Sequence, residues 1–171
     1  MSSTTTTSGV SVNRTVLTGG VALGLGVAAW TLVMGFSGLY RHPTLSGLFF
    51  LVVPMQIGVL IWALRRTRAA GKGYGGQVMA GAQLSVIAAP IVFVQSYLFT
   101  AVIFPSYFSD IRAVYENILR EQGLDEAAIA QALQQADTPT SFGQALTGAV
   151  ATIITGLFVS AIAAVFIRDK H

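Results

Sequence analysis

The chain has 171 residues, 53 % of them hydrophobic and 10 % charged, with a formal net charge of +3 and no cysteine. Water-soluble domains carry about 25 % charged residues, so this composition excludes an ordinary soluble core, and the missing cysteine excludes disulfides, thiolate metal sites, iron–sulfur clusters and cysteine nucleophiles. Most cations sit beside apolar runs rather than on one amphipathic face, which argues against nucleic acid and for anionic lipid headgroups as their partner.

Residues 1–15 form a Ser/Thr-rich tail with little to bury and read as disordered. The tail lacks the charged n-region of a signal peptide and the apolar run after it exceeds an h-region, so no cleavage is expected. Residues 16–40 are the first predicted span. They contain no charge and reach about 37 Å at ~1.5 Å per residue, enough to cross a bilayer with some tilt. Gly20, Gly24 and Ala28 make a ridge of small side chains on which another helix can approach closely. Tyr40 places an aromatic at the far boundary. Arg41, His42 and Pro43 then turn the chain, and Thr44 is the predicted cap of the next helix.

Residues 45–64 are the second span, in which Pro54 is expected to free the carbonyl of Phe50 and bend the helix. Arg65, Arg66, Arg68 and Lys72 follow as a basic connector that runs into a glycine-rich loop over residues 71–76. That loop is not a phosphate loop, because Arg66 holds the upstream glycine position and Gly73 replaces the Ser/Thr. Residues 79–104 are the third span, with Pro90 inside it, a second small-residue ridge at Gly81, Ser85 and Ala89, and Pro105 closing it.

Residues 106–141 are the sizeable polar segment, with six acids against two arginines. Tyr107, Phe108, Ile111, Val114, Tyr115, Ile118 and Leu119 share one helical face, which predicts an amphipathic helix ending at Gly123. Asp125 caps a second short helix, with Leu124 and Ile129 at the two positions of a hydrophobic staple. This insert is too short to enclose a core unaided, so it lies on the bilayer surface or over the mouth of the bundle. Ser141 and Gln144 match a capping box that opens the fourth span, residues 142–167. Along it Gly148, Thr152, Gly156, Ser160 and Ala164 recur every four residues.

The predicted architecture is therefore all-α: residues 16–171 as a single polytopic membrane domain of four transmembrane helices, with an extramembrane amphipathic helical insert between the third and fourth. Cations resist transfer across a bilayer, and with the basic connector inside, seven of them are cytoplasmic and three (Arg41, Arg112, Arg120) are outside. Both termini then face the cytoplasm, and a bacterial inner membrane is the expected location.

From Ile61 onward the chain resembles a bacterial membrane-protein family of unknown function (domain-of-unknown-function forty-one ninety-nine). The resemblance rests on the basic loop running into Gly-Tyr-Gly-Gly-Gln-Val-Met-Ala-Gly-Ala at residues 73–82, on Phe104-Pro105-Ser106-Tyr107 after the third span, and on the acidic helical stretch and final span that follow. It implies four spans with a helical insert between the last two. It implies no catalytic residue.

No charge lies inside any predicted span, whereas pumps and proton-coupled carriers usually need one. Gln56 and Gln95, helped by Ser96 and Thr100, are the main polar groups near mid-membrane. Their depths differ by only about 3 Å, so adjacent antiparallel helices could bring the two amides together, either as an interhelical hydrogen bond or as the lining of a polar pocket. The ridge of Gly148, Thr152, Gly156 and Ser160 either packs the bundle or serves a further partner helix. Arg65, Arg66, Arg68 and Lys72 are expected to contact anionic headgroups. His42 has no second ligand beside it, the acids lack the spacing of a calcium loop, and no serine, histidine and acid arrangement suggests hydrolysis. The expectation is a non-enzymatic membrane protein with no cofactor and no metal. It is read first as a small scaffold or accessory subunit acting through helix packing on itself or another membrane protein. The second reading is a passive channel or facilitator for a small neutral solute.

Overall fold

The computed structural model describes residues 5–136 and 139–167, with side chains from residue 13 onward. Met1, Ser2, Ser3, Thr4, Asp137, Thr138, Arg168, Asp169, Lys170 and His171 lie outside the described residues, including two of the cations counted as cytoplasmic. Among the described residues there are six α-helices and no strand: α1 Thr5–Phe36, α2 Val52–Arg68, α3 Tyr74–Leu98, α4 Tyr107–Glu121, α5 Glu126–Gln135 and α6 Ser141–Ile167. Four stretches, Asn13–Phe36, Ser46–Arg68, Tyr74–Ile103 and Ser141–Ile167, are long and apolar enough to cross a membrane.

Several boundaries differ from the predicted ones, each for a local reason. Helix α1 starts at Thr5, so the segment predicted to be a disordered tail is helical from that residue. Once a helix is nucleated in the apolar run, each further residue adds a hydrogen bond, and no proline stops it. The same helix ends at Phe36, because Gly38 turns left-handed (φ 70°), and Tyr40 falls in a separate 3-10 turn, Leu39–Arg41. Thr44 caps nothing: the next element is a 3-10 stretch, Ser46–Leu51, that starts from Leu45 without a side-chain cap. Pro54 accordingly sits in the first turn of α2, where its missing N–H costs little, rather than in the middle of an α-helix.

The basic connector is also shorter than predicted. Arg65, Arg66 and Arg68 belong to the last turn of α2, where their charge opposes the negative end of the helix dipole. Gly75 and Gly76 are already helical in α3, which starts from an extended Gly73 whose carbonyl accepts from Gln77 N at 3.0 Å. Gln77 itself is fully buried, and its amide stands 2.7 Å from Thr67 Oγ1. Turned so that every neighbour is satisfied, its nitrogen donates to Leu64 O and Thr67 Oγ1, and its oxygen accepts from Arg68 N at 2.9 Å. One side chain thus closes the α2–α3 hairpin.

Helix α3 is the central element and packs most extensively on α6, then on α1. The small-residue ridges explain why. A Cβ on Gly20 would stand 2.7 Å from Ile87 Cβ and from Leu84 O, and one on Gly24 would stand 2.7 Å from Ile91 Cβ, so α1 lies directly against α3. On the other side, Gly81 receives Ser160 and Gly156 receives Ser85, a reciprocal pair in which each glycine makes room for the opposite serine. Between these contacts Leu23 of α1, Leu60 and Leu64 of α2, and Leu84 and Ala88 of α3 are fully buried.

Toward its end α3 widens into a π turn, Phe99–Ile103, in which Phe104 N donates to Phe99 O at 2.8 Å. Pro105 then ends the span. Helix α4 closes on a left-handed Gly123 (φ 79°), with Gly123 N donating to Arg120 O and Leu124 N to Leu119 O, the Schellman pattern. Asp125 Oδ1 accepts from Ala128 N at 2.7 Å and caps α5. Ile129 packs on Leu119 and Leu133 in a small cluster of its own, while Leu124 stays 37 % exposed rather than completing a staple. At the start of α6 the capping residue is Thr140, whose Oγ1 accepts from Gly143 N at 3.0 Å, not Ser141.

Candidate functional site

At the α4 end of the bundle the four spans do not close. A cleft of about 420 Å³ opens between α1, the 3-10 stretch and start of α2, the end of α3 and the start of α6. Its polar lining includes Gln56, Gln95, Ser96, Thr100, Gln144 and Thr152, and its apolar lining includes Val27, Phe49, Val92 and Phe99. Among the described residues no charged side chain lines it.

Each polar residue arrives by a different route. Gln56 is 4 % exposed and its Nε2 donates to the Thr152 carbonyl of α6 at 2.8 Å. Gln95 Nε2 donates instead to Ser96 Oγ at 2.9 Å. The two amides thus line one cleft and hold different partners rather than bonding to each other. The hydroxyls of Thr31, Thr100 and Thr152 each turn back to the carbonyl four residues earlier, a bond that hides the donor and leaves a weakly polar wall. Gly148 keeps the cleft open: a Cβ there would make only ordinary contacts, 3.6 Å from Val92 and 3.8 Å from Ser96 Oγ.

The floor lies at Gly156. A Cβ on that glycine would stand 3.6 Å from Gln56 Nε2 and 2.6 Å from Ser85 Cβ, so the α3–α6 interlock begins directly beneath Gln56. Thr152, Gly156, Ser160 and Ala164 are buried there within the bundle, one of the two predicted uses of the ridge, while Gly148 lines the cleft.

The mouth is roofed by aromatic rings from separate elements. Tyr107, the first residue of α4, lies against Tyr40, Phe49 and Phe99, with ring centroids 5.3, 6.4 and 5.4 Å away. Phe104 packs on Phe36, Tyr40 and Phe99. Trp30 Nε1 donates to Leu48 O at 3.1 Å and pins the 3-10 stretch to α1. Behind the rings, Asp110 Oδ2 accepts from Tyr40 Oη at 2.7 Å, from Arg41 Nη2 at 2.9 Å and from Ser106 Oγ at 3.1 Å. Partial burial raises the Asp110 carboxyl, but the bonds from Tyr40, Arg41 and Ser106 outweigh it and hold it below the ordinary carboxylate value. Desolvation, and then the bond to Asp110, raise the Tyr40 phenol. Asp110 reads in the sequence as one of several solubilising acids; its pairing with Arg41 joins residues far apart in the chain and leaves no local signal.

The other predicted residues stand at the opposite end. Arg65, Arg66, Arg68 and Lys72 are all exposed there, and Arg66 lies over the Trp62 ring at 4.5 Å. His42 is exposed in the α1–α2 connection.

Fold and site together define a chain of four span-length apolar helices with an uncharged cleft beneath a helical cap. The family described as protein of unknown function (DUF4199) matches residues 18–169, and the chain belongs to it. No curated protein and no solved structure matches the chain.

Proposed function

We propose that the protein is a non-enzymatic facilitator for a small neutral solute, with the cleft as its binding site. One observation carries this reading: the amide and hydroxyl groups of Gln56, Gln95, Ser96 and Thr100 converge on one uncharged cleft at the end of the span bundle. Its size falls in the ~300–1,000 Å³ range of small-molecule sites. The two amides and the Ser96 hydroxyl offer both donors and acceptors to an uncharged ligand, and a lining without charged side chains gives an ion no countercharge. The lining also lacks a nucleophile paired with a base, which supports no catalysis there. A scaffold acting through the α6 ridge has less support, because that ridge faces α3. The distribution of cations supports an orientation with the basic α2–α3 connection in the cytoplasm and the cleft opening on the outer face of the cell membrane.

The test is osmotic swelling of vesicles that contain the purified chain, with uncharged polyols and amides as probes. Wild-type vesicles should take up at least one probe faster than empty ones. Gly148→Leu places a side chain in the cleft without a backbone clash and should return uptake to background. Gly58→Leu, where an added Cβ meets nothing within 4 Å, should leave uptake unchanged. Uptake no faster than that of empty vesicles for every uncharged probe, or equal in Gly148→Leu, would overturn the proposal.

A further inference from the structure

At the basic end of the bundle a second cleft, of about 440 Å³, lies between α1 and α2 and is lined by Arg14, Thr15, Thr18, Trp62 and Arg66. We propose that it is a site for the phosphate of an anionic phospholipid, bound between the Arg14 and Arg66 guanidinium groups. The proposal rests on the chain lying in a bilayer and is independent of what the first cleft holds.

The chemistry fits an anion. Two guanidinium groups, which present forked donors to phosphate oxygens, line one small space together with threonine side chains. The Arg66 guanidinium is held over the Trp62 ring at 4.5 Å, which fixes its position without neutralising it. Among the described residues every acid lies in α4, α5 or the turn between them, at the far end of the bundle. None of those carboxylates is placed to compete for Arg14 or Arg66.

The surroundings favour a lipid over a free phosphate. Arg14 and Arg66 stand at the ends of two membrane-length stretches, Asn13–Phe36 and Ser46–Arg68, where headgroups of a bilayer would lie. Arg14, Thr18, Val21 and Leu25 share one face of α1, and the apolar pair is exposed, at 37 % and 58 %. On α2, Trp62 lies one turn from Arg66 toward the middle of the span and is 39 % exposed. From the cationic cleft, therefore, uncovered apolar side chains run toward mid-membrane, where the acyl chains of a phospholipid extend. A soluble anion would gain nothing from them.

Native mass spectrometry of the full chain in a neutral detergent tests this, with phosphatidylglycerol, phosphatidylcholine and inorganic phosphate as probes. We expect one phosphatidylglycerol to be retained in preference to phosphatidylcholine. The double variant Arg14→Gln/Arg66→Gln should weaken that retention about tenfold or more. Arg65→Gln/Lys72→Gln removes the same charge outside the cleft and should leave the retained lipid in place at a salt concentration that screens diffuse attraction. Thr18→Leu, which fills the cleft and changes no charge, should also lower retention and guards against misreading a folding defect as a charge effect. Equal losses in the two charge variants would mean a diffuse basic surface and overturn the site. So would retention of phosphatidylcholine as tightly as phosphatidylglycerol, or displacement of the lipid by inorganic phosphate bound alone with equal affinity.

Discussion

Single residues set the character of both ends of the bundle, and the buried serine pair shows how. Ser85 Oγ donates to the Gly81 carbonyl of its own helix at 3.0 Å. Ser160 is fully buried, and among the described residues its Oγ has no hydrogen-bond partner. An unmade bond in a buried site costs about 1–3 kcal/mol of desolvation, so Ser160→Ala should leave thermal stability in detergent unchanged or raise it by about 1 kcal/mol. A loss of more than that would mean that the hydroxyl holds something in the intact protein. Gln56 shows what the sequence can and cannot reveal at this scale. An amide in an apolar run signals a need for a partner, and Gln56 has one. Its identity, the backbone carbonyl of Thr152, left no trace, because a carbonyl is present at every residue. Of the two expectations for Gln56 and Gln95, a direct bond and a shared pocket, the two amides share one cleft and bond to other partners.

At the scale of elements, the docking of α4 over the cleft depends on the Tyr40, Arg41 and Asp110 cluster and on the rings around Tyr107. The Asp110 carboxyl titrates below its ordinary value, which lies near ~3.9 for a free aspartate. A carboxylate depressed in this way contributes fully above the unfolded pKa and loses its contribution as pH falls through the lower, folded one. Hydrogen exchange of the α4 amides should therefore be slower in wild type than in Asp110→Asn at neutral pH. The two should converge only below about pH 4. Convergence already at mildly acidic pH would show that the cluster is not what holds the helix. Helices α4 and α5 were legible almost to the residue, because Gly123 and Asp125 are local signals with one physical meaning each. Their docking was not, since it joins Arg41 to Asp110 across two intervening spans. The N-terminal ends of α1 and α3 lie ahead of the predicted ones for the opposite reason: the hydrogen-bond ladders reach beyond the apolar runs, and polar or glycine residues simply extend them.

For the whole molecule, a bilayer crossed by all four span-length helices would have the α2–α3 connection and the α4–α5 turn on opposite sides. A reporter inserted at Gly123, where the chain is exposed and turns, should be accessible from the side opposite one inserted at Gly71. Accessibility of both from the same side would break the four-span reading. This level was the most legible of all, because charge depletion and uninterrupted apolar length act over whole segments and tolerate errors of several residues at either end. The packing of α3 between α1 and α6 was only half legible: the small-residue ridges announced close contacts, but ridges of equal spacing cannot say which of them mates with which. The π turn at Phe99–Ile103 has a consequence for the molecule's overall geometry. It holds one residue more than an α-turn within a single turn, so a chain shorter by one residue at that point could revert to regular winding with everything beyond it in nearly the same rotation, whereas a deletion in the regular part of α3 would turn it by about 100°. Such a deletion before Phe99 would swing Tyr107 away from the cleft and Asp110 away from Arg41. The wide turn is thus a place where the span can lose a residue while the roof stays in phase with the four-helix body.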